Sequence, residues 1–268
     1  MTRTIDDAQA DRLGERLDEA YRRGDPLDPD ELSADTLTVA DGYAIQRAAL
    51  DRREDRAGPT VGYKVGFTSE AIQSTLGVDS PAYGRVLADT VQSEGRLDAS
   101  GIVDPKLEPE LAVRLGSALD PPVTAIDVLG AIESVVPVLE VVDSRVADWT
   151  MTAGSAVADN ALAARVVHGE RTADPTGFDL ALEGVEVRRN GERTATGIGA
   201  DVLGSPVRVV AWLAETLADH GERLAAGDIV STGSLTELVP VEPGDTVEAR
   251  FASLGSVTVS RPPRDSSL

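Results

Sequence analysis

Residues 107–115, LEPELAVRL, put Leu107, Leu111, Val113 and Leu115 at odd positions and Glu108, Glu110, Ala112 and Arg114 at even ones. Successive side chains of a β-strand point to opposite faces, so this alternation predicts a strand with one apolar face and one face bearing a pair of carboxylates. Pro109 has no amide proton to give to a ladder, which predicts an edge or a bulge at this end. Working outward, residues 135–143, VVPVLEVVD, read as a buried strand with Glu140 inside an apolar run. Residues 60–67, TVGYKVGF, are strand-like, and residues 227–260 read as consecutive short strands and turns. Asn190-Gly191, within 184–197, is the strongest hairpin signal.

Helical patterns occupy the rest. Residues 5–24 carry Leu13, Leu17 and Tyr21 at intervals of four and stop at Gly24. Residues 38–54 form a second amphipathic pattern, and 69–77 a short one between Ser69 and Gly77, followed by a turn over 78–84. Residues 124–135, capped by Thr124, and residues 159–169 also read as helices. Residues 205–221 are the clearest, with Ser205 as cap and Pro206 in the first turn. Helices come first, then many strands with a few inserted helices and no regular βαβ alternation. The class is therefore α+β with a mixed or antiparallel sheet. The expected organisation is a helical region over 1–58, a β-rich core over 59–260 and a disordered tail over 261–268.

Composition narrows the function. A chain of 268 residues, 41% hydrophobic, can bury a real core as one large domain. No apolar run reaches the roughly 18–20 residues of a membrane span, and the charged N-terminus has no signal-peptide core, so a cytoplasmic protein is expected. With no cysteine, thiolate metal sites and cysteine nucleophiles are excluded. The two histidines, His168 and His220, each stand beside a glycine at what reads as a helix end, and leave no multi-histidine metal site. A net charge of −21 opposes binding to nucleic acid or anionic membrane and suggests adaptation to high salt. Only two of the 25 basic residues are lysines, Lys64 and Lys106. Where arginine takes nearly every cationic position, a remaining lysine can be there for its compact, titratable ammonium.

Glu108 and Glu110 share a strand face, where they would raise each other's pKa unless a cation lies between them; a solvated edge is the plain alternative. An ionised Glu140 in a buried strand costs several kcal/mol unless it is paired or binds metal. It could instead face solvent or pair with Arg145. If the three converge, they form an all-oxygen site suited to Mg²⁺ or Mn²⁺, with positions left for a 2-oxo acid. Lys64, in its apolar VGYKVGF context, could hold a substrate carboxylate or move a proton, with its pKa lowered by burial and by the cation. No G-x-S-x-G elbow or P-loop occurs, and in GIGADVLG (197–204) Val202 replaces the third glycine of a dinucleotide fingerprint.

Seven stretches, in order between about residues 38 and 255, resemble the 2-keto-4-pentenoate hydratase/4-oxalocrotonate decarboxylase family of the fumarylacetoacetate hydrolase superfamily. They are GYKVGFTS (62–69), GVDSPAYGRV (77–86), LEPELAVRL (107–115), VLEVVDSRVADW (138–149), SAVADNALAARVV (155–167), VLGSPVRVVAWLA (202–214) and AGDIVSTGSLTEL (226–238). The resemblance implies a twisted, partly rolled sheet with helices outside, a divalent metal held by Glu108, Glu110 and Glu140, and a homo-oligomer. It makes Lys64 the active-site lysine and Asp79 an acidic group near the pocket, and places Ser155, Asn160 and Ser234 in pocket-lining segments, where capping roles are the alternative. The implied activity is hydration of 2-hydroxypenta-2,4-dienoate. The alternatives are decarboxylation of 4-oxalocrotonate, for which Arg85 is one candidate partner of the distal carboxylate, acylpyruvate-type C–C hydrolysis, and a non-enzymatic scaffold stabilised by a cation.

Overall fold

The helical start is built on local caps. α1 (Asp7–Arg23) begins at Asp6, whose carboxylate accepts the Gln9 amide while the Gln9 side chain returns to the Asp6 amide. After α2 (Pro29–Leu32), α3 (Val39–Ala57) begins at Thr38 with Asp41 in the same reciprocal arrangement. α1 and α3 pack together around Leu17, Ala20, Leu32, Ile45 and Ala49, and this cluster continues into Val146 and Ala158 of the later chain. The structure, a computed structural model, describes residues 2–32 and 35–263.

Strands follow: β1 (Thr60–Gly66), then α4 (Glu70–Leu76), β2 (Ala82–Leu87), β3 (Val91–Ser93), β4 (Gly95–Arg96) and β5 (Lys106–Leu115). Next come α5 (Ala125–Ala131), β6 (Ile132–Val142), α6 (Ala153–Ala158) and β7 (Ala163–His168). The chain continues through the hairpin β8 (Gly184–Arg189) and β9 (Glu192–Ile198), α7 (Pro206–Asp219), β10 (Ile229–Ser234), β11 (Val239–Pro240), β12 (Thr246–Phe251) and β13 (Gly255–Ser260). The main sheet runs β2-β1-β10-β5-β6-β7-β3, with β11 also on β5; a second runs β4-β13-β12-β8-β9. Pairing is antiparallel except at β1/β10, β3/β7 and β4/β13, so the mixed α+β class holds.

The main sheet has two unlike faces. Leu107, Leu111, Val113, Leu139, Val141 and Val230 belong to the large core that also takes in α7 and the apolar side of the second sheet. On the opposite face, Ala112, Val138, Val166 and Val86 form a small separate cluster. Glu108, Glu110 and Glu140 rise from that second face, beside this valine floor.

Two helix expectations are corrected, and of the edge or bulge expected at Pro109 the structure shows the irregular pairing. β5 is an interior strand, between β10 and β6, although Pro109 belongs to it. The proline is accommodated because pairing on its β10 side is irregular between Ser231 and Ser234, where only its carbonyl is used, by the Leu235 amide at 2.9 Å. The helix expected over 124–135 ends at Ala131, and the strand begins at Ile132. The segment expected to be helical over 159–169 is the strand β7 after one irregular turn, so His168 ends a strand. The tail expected to be disordered from 261 begins with an ordered Arg261, whose amide donates to the Asp245 carbonyl at 2.9 Å; its residues 264–268 lie outside the described residues. Among the described residues no helix is long and apolar enough to cross a membrane.

Candidate active site

Register brings the carboxylates together. In the β5/β6 pair Glu108 stands directly opposite Glu140, and Glu110 opposite Val138. Directly opposed residues share a face, so all three carboxylates emerge on one side. One oxygen from each lies within 4.8 Å of the others. Glu110 and Glu140 are fully buried and Glu108 half-buried, which rules out the solvated edge. Arg145 is not Glu140's partner, since its guanidinium is bound to Asp159 at 2.6 Å.

Lys64 completes the cluster. It pairs in register with Ser231 of β10 and Gly84 of β2, two strands away from β5. On a flat sheet its strand would lie about 14 Å from β6. Its ammonium nevertheless sits 3.2 Å from Glu140 Oε1, so the sheet curls toward this face into a half-barrel. The ammonium also donates to the Ala161 carbonyl at 2.8 Å. That carbonyl is presented by three consecutive left-handed residues, Asn160, Ala161 and Leu162, with φ of 54°, 49° and 67°. Such backbone costs energy at non-glycine positions and persists only where surrounding contacts impose it.

The electrostatics follow from burial. Burial raises the carboxyl groups of Glu108 and Glu110 above their usual range; at Glu110 the charges of Glu140 and Glu108 add to it. Glu140 is pushed up to about 7 by burial, with the Lys64 ammonium acting the other way. At Lys64 burial favours the neutral amine, but Glu140, Glu108 and Glu110 outweigh it, so its pKa lies above the ordinary lysine value rather than below it as the sequence suggested. Within this carboxylate cluster Lys64 is an ammonium at neutral pH.

The donor set fits a hard divalent cation. Glu110 Oε1 and Glu140 Oε2 are buried and accept no hydrogen bond, and Glu140 Oε1 has only the Lys64 ammonium beside it. Buried polar atoms are rarely left so, and three carboxylates without nitrogen or sulfur ligands suit magnesium-like ions. Glu110 Oε2 is by contrast held by the Ser231 hydroxyl at 2.6 Å and the Gly233 amide at 2.8 Å. Gly233 has φ 100°, and a Cβ there would strike Thr68. Ser231 and Gly233 lie in the quoted stretch 226–238 but were not singled out; only the β10/β5 register reveals them.

The remaining named residues take other places. Asn160 clamps β2, its side chain accepting from the Arg85 amide at 2.8 Å and donating to the Arg85 carbonyl at 2.9 Å. Ser155 is fully buried and closes the capping box of α6 with Thr152. Ser234 pairs in register with Glu110, but its hydroxyl donates to the Thr236 carbonyl at 2.9 Å. Asp79 is exposed in the turn before β2 and makes no hydrogen bond or ion pair among the described residues. Arg85 follows the opposite face from Gly84 and Lys64 and is bound to Glu222 at 2.6 Å, so it does not serve this site.

Comparison with known proteins agrees with this architecture. Residues 87–260 match the family described as fumarylacetoacetate (FAA) hydrolase C-terminal. The chain is 39% identical to a 4-oxalocrotonate decarboxylase of Pseudomonas putida, over 96% of this chain and 98% of that one. It is 38% identical to a 2-keto-4-pentenoate hydratase of Paraburkholderia xenovorans (strain LB400), over 93% of each. The solved 4-oxalocrotonate decarboxylase from Pseudomonas putida G7, complexed with magnesium and adipate, superposes with a TM-score of 0.92 at 36% identity, covering 97% of this chain and 100% of that one. The chain belongs to the fumarylacetoacetate hydrolase superfamily, within the group of 2-keto-4-pentenoate hydratases and 4-oxalocrotonate decarboxylases.

Proposed function

We propose that this protein is a divalent-metal-dependent hydro-lyase that adds water to 2-hydroxypenta-2,4-dienoate to give 4-hydroxy-2-oxopentanoate, as in meta-cleavage degradation of aromatic compounds. The observation that carries the reading is the trio of strand-borne carboxylates with two buried oxygens, Glu110 Oε1 and Glu140 Oε2, left without a partner, facing a buried ammonium. Glu108, Glu110 and Glu140 would hold Mg²⁺ or Mn²⁺, and the magnesium complex of the structural relative supports this. When bound, the cation supplies positive charge that polarises the 2-oxo group of a chelated 2-oxo acid. Lys64, charged and fixed by Ala161 and Glu140, delivers a proton to C5 of the dienoate as its enol becomes a ketone; water then adds at C4. Asp79 is assigned as a second proton carrier at the rim. Ser234 lines the pocket beside Glu110, whereas Ser155 and Asn160 line it by holding the backbone that faces Lys64. The reading includes a cytoplasmic homo-oligomer, adapted to high salt, with a helical region over 1–58 and a catalytic core over 59–260.

Decarboxylation of 4-oxalocrotonate at the same centre is the second reading, favoured by the relative at 39% identity and by a second lysine, Lys106, on the same strand as Glu108. Loss of dienoate absorbance reports hydration and CO₂ release reports decarboxylation. Both are to be measured with Mg²⁺ and with Mn²⁺ before and after chelation. Glu110→Gln is expected to lose Mn²⁺ binding and to turn over at background; near-normal turnover in that variant would overturn the metal-centred reading.

A further inference from the structure

Arg53, near the end of α3, is only 6% exposed, yet among the described residues its guanidinium makes no hydrogen bond or ion pair. It lies 3.6 Å from the centroid of the Tyr21 ring of α1. A ring face compensates the charge in part, but it gives no acceptor to the five N–H groups in the guanidinium plane. A charge buried to this degree is costly unless it is paired and hydrogen-bonded. The nearby carboxylates are committed to other cations. Asp18 of α1 is paired with Arg56 and lies 3.5 Å from Arg22. Asp159 accepts from Arg145 Nε at 2.6 Å and from the Arg145 amide at 2.7 Å. The guanidiniums of Arg145 and Arg165 stand 5.6 and 5.9 Å from the same Tyr21 ring, so positive charge gathers there. The chain's excess of acid does not answer it, because that excess lies largely on the exposed surface, where water and salt screen it.

Arg53 also borders a space. With Asp18, Tyr21, Gln46, Asp159 and Asn160 it lines a cavity of about 10 Å³. That is room for one water-sized particle and not for a polyatomic oxyanion. The side-chain amides around it are already used. Gln46 donates to the carbonyls of Tyr83 and Val157 at 3.1 and 3.0 Å, and Asn160 is bound to the backbone of Arg85. Arg53 is the lining cation with donors to spare. We infer that this cavity binds a single monoatomic anion, chloride in salt solutions of ordinary composition, held by the Arg53 guanidinium between α1, α3 and the turn that follows α6. A water accepts one of the Arg53 protons but leaves the charge unpaired, whereas a halide answers both the donor and the charge. Asp159 and Asn160 lead into the turn whose Ala161 carbonyl holds Lys64, so the ion links the N-terminal helices to that turn. The site stands apart from the glutamate trio and does not depend on the reading of it.

The test varies chloride at constant ionic strength, replacing potassium gluconate with KCl around the full-length protein, so that screening of the surface charge does not change. The melting temperature is expected to rise by about 3 °C and then to level off, as a saturable site requires. Arg53→Met keeps an apolar stem against the Tyr21 ring and should abolish that rise. No rise in the unaltered protein, or one that persists in Arg53→Met, overturns the inference. Crystals of the unaltered protein grown in KBr give a second readout that needs no variant. An anomalous bromide peak within hydrogen-bonding reach of the Arg53 guanidinium is expected, and a cavity that holds only an ordered water, with no such peak, overturns the inference. Should Arg53→Met fail to fold, the bromide map alone decides.

Discussion

Glu140 shows what a buried carboxyl does to the protein that carries it. Burial moves it from 4.5 to about 7. The folded state therefore holds a proton that the unfolded chain releases first, and stability is lost as pH rises through that interval. Taken alone, the shift amounts to about 3 kcal/mol. Lys64 does not mask it: a raised lysine pKa contributes stability in full below the unfolded value of 10.5, and that contribution is lost only at still higher pH. The melting temperature of the chelated protein is accordingly expected to fall between about pH 5 and about pH 8, and saturating Mg²⁺ to remove most of that fall. Cation affinity should rise with pH through about 7, because each ligand must lose its proton first. A flat melting profile without metal would show that Glu140 ionises freely in the fold.

At the scale of elements, Lys64 is aimed by a contact between β2 and the left-handed run that follows α6. Gly84 packs so closely on Asn160 that a Cβ would run into its carbonyl oxygen, while the Asn160 side chain pairs with the backbone of Arg85. Gly84→Ala is therefore expected to displace residues 160–162 and cost about 1–3 kcal/mol of stability. Turnover should fall more than Mn²⁺ affinity, because the Lys64 anchor moves while the glutamates stay on β5 and β6; a urea titration beside an activity and metal-binding assay checks this. Asn190-Gly191 and Ser205-Pro206 were legible in the sequence because their information is local: left-handed φ values at the first pair, a hydroxyl on the Val207 amide at the second. The alternation over 107–115 likewise declares its two faces. Residues 163–168 were misread because AARVV spaces its apolar residues as a helix can, and only β6 and β3 on either side make it a strand. The opposition of Glu108 to Glu140, and the turn that offers the Ala161 carbonyl, depend on chain partners far away, so composition and spacing were silent on them.

Across the whole molecule, the N-terminal helices are tied to the core through Tyr21. Its hydroxyl accepts from Arg165 of β7 at 2.6 Å, and the Arg53 guanidinium of α3 lies 3.6 Å from its ring centroid. Such ring–guanidinium contacts depend little on bulk salt when buried, whereas the exposed acidic excess does. The net charge of −21 should therefore dominate the response to ionic strength. Raising KCl from about 0.1 M to about 2 M is expected to raise the melting temperature as like charges are screened. An unchanged or lower value would deny the acidic surface that role.

The three glutamates occupy a single antiparallel pair, β5 and β6, whereas Lys64 lies on β1, which reaches them across β10. On the proposed reading, gripping an ion and delivering a proton therefore answer to different ladders, and loosening β1 against β10 should blunt the second while sparing the first.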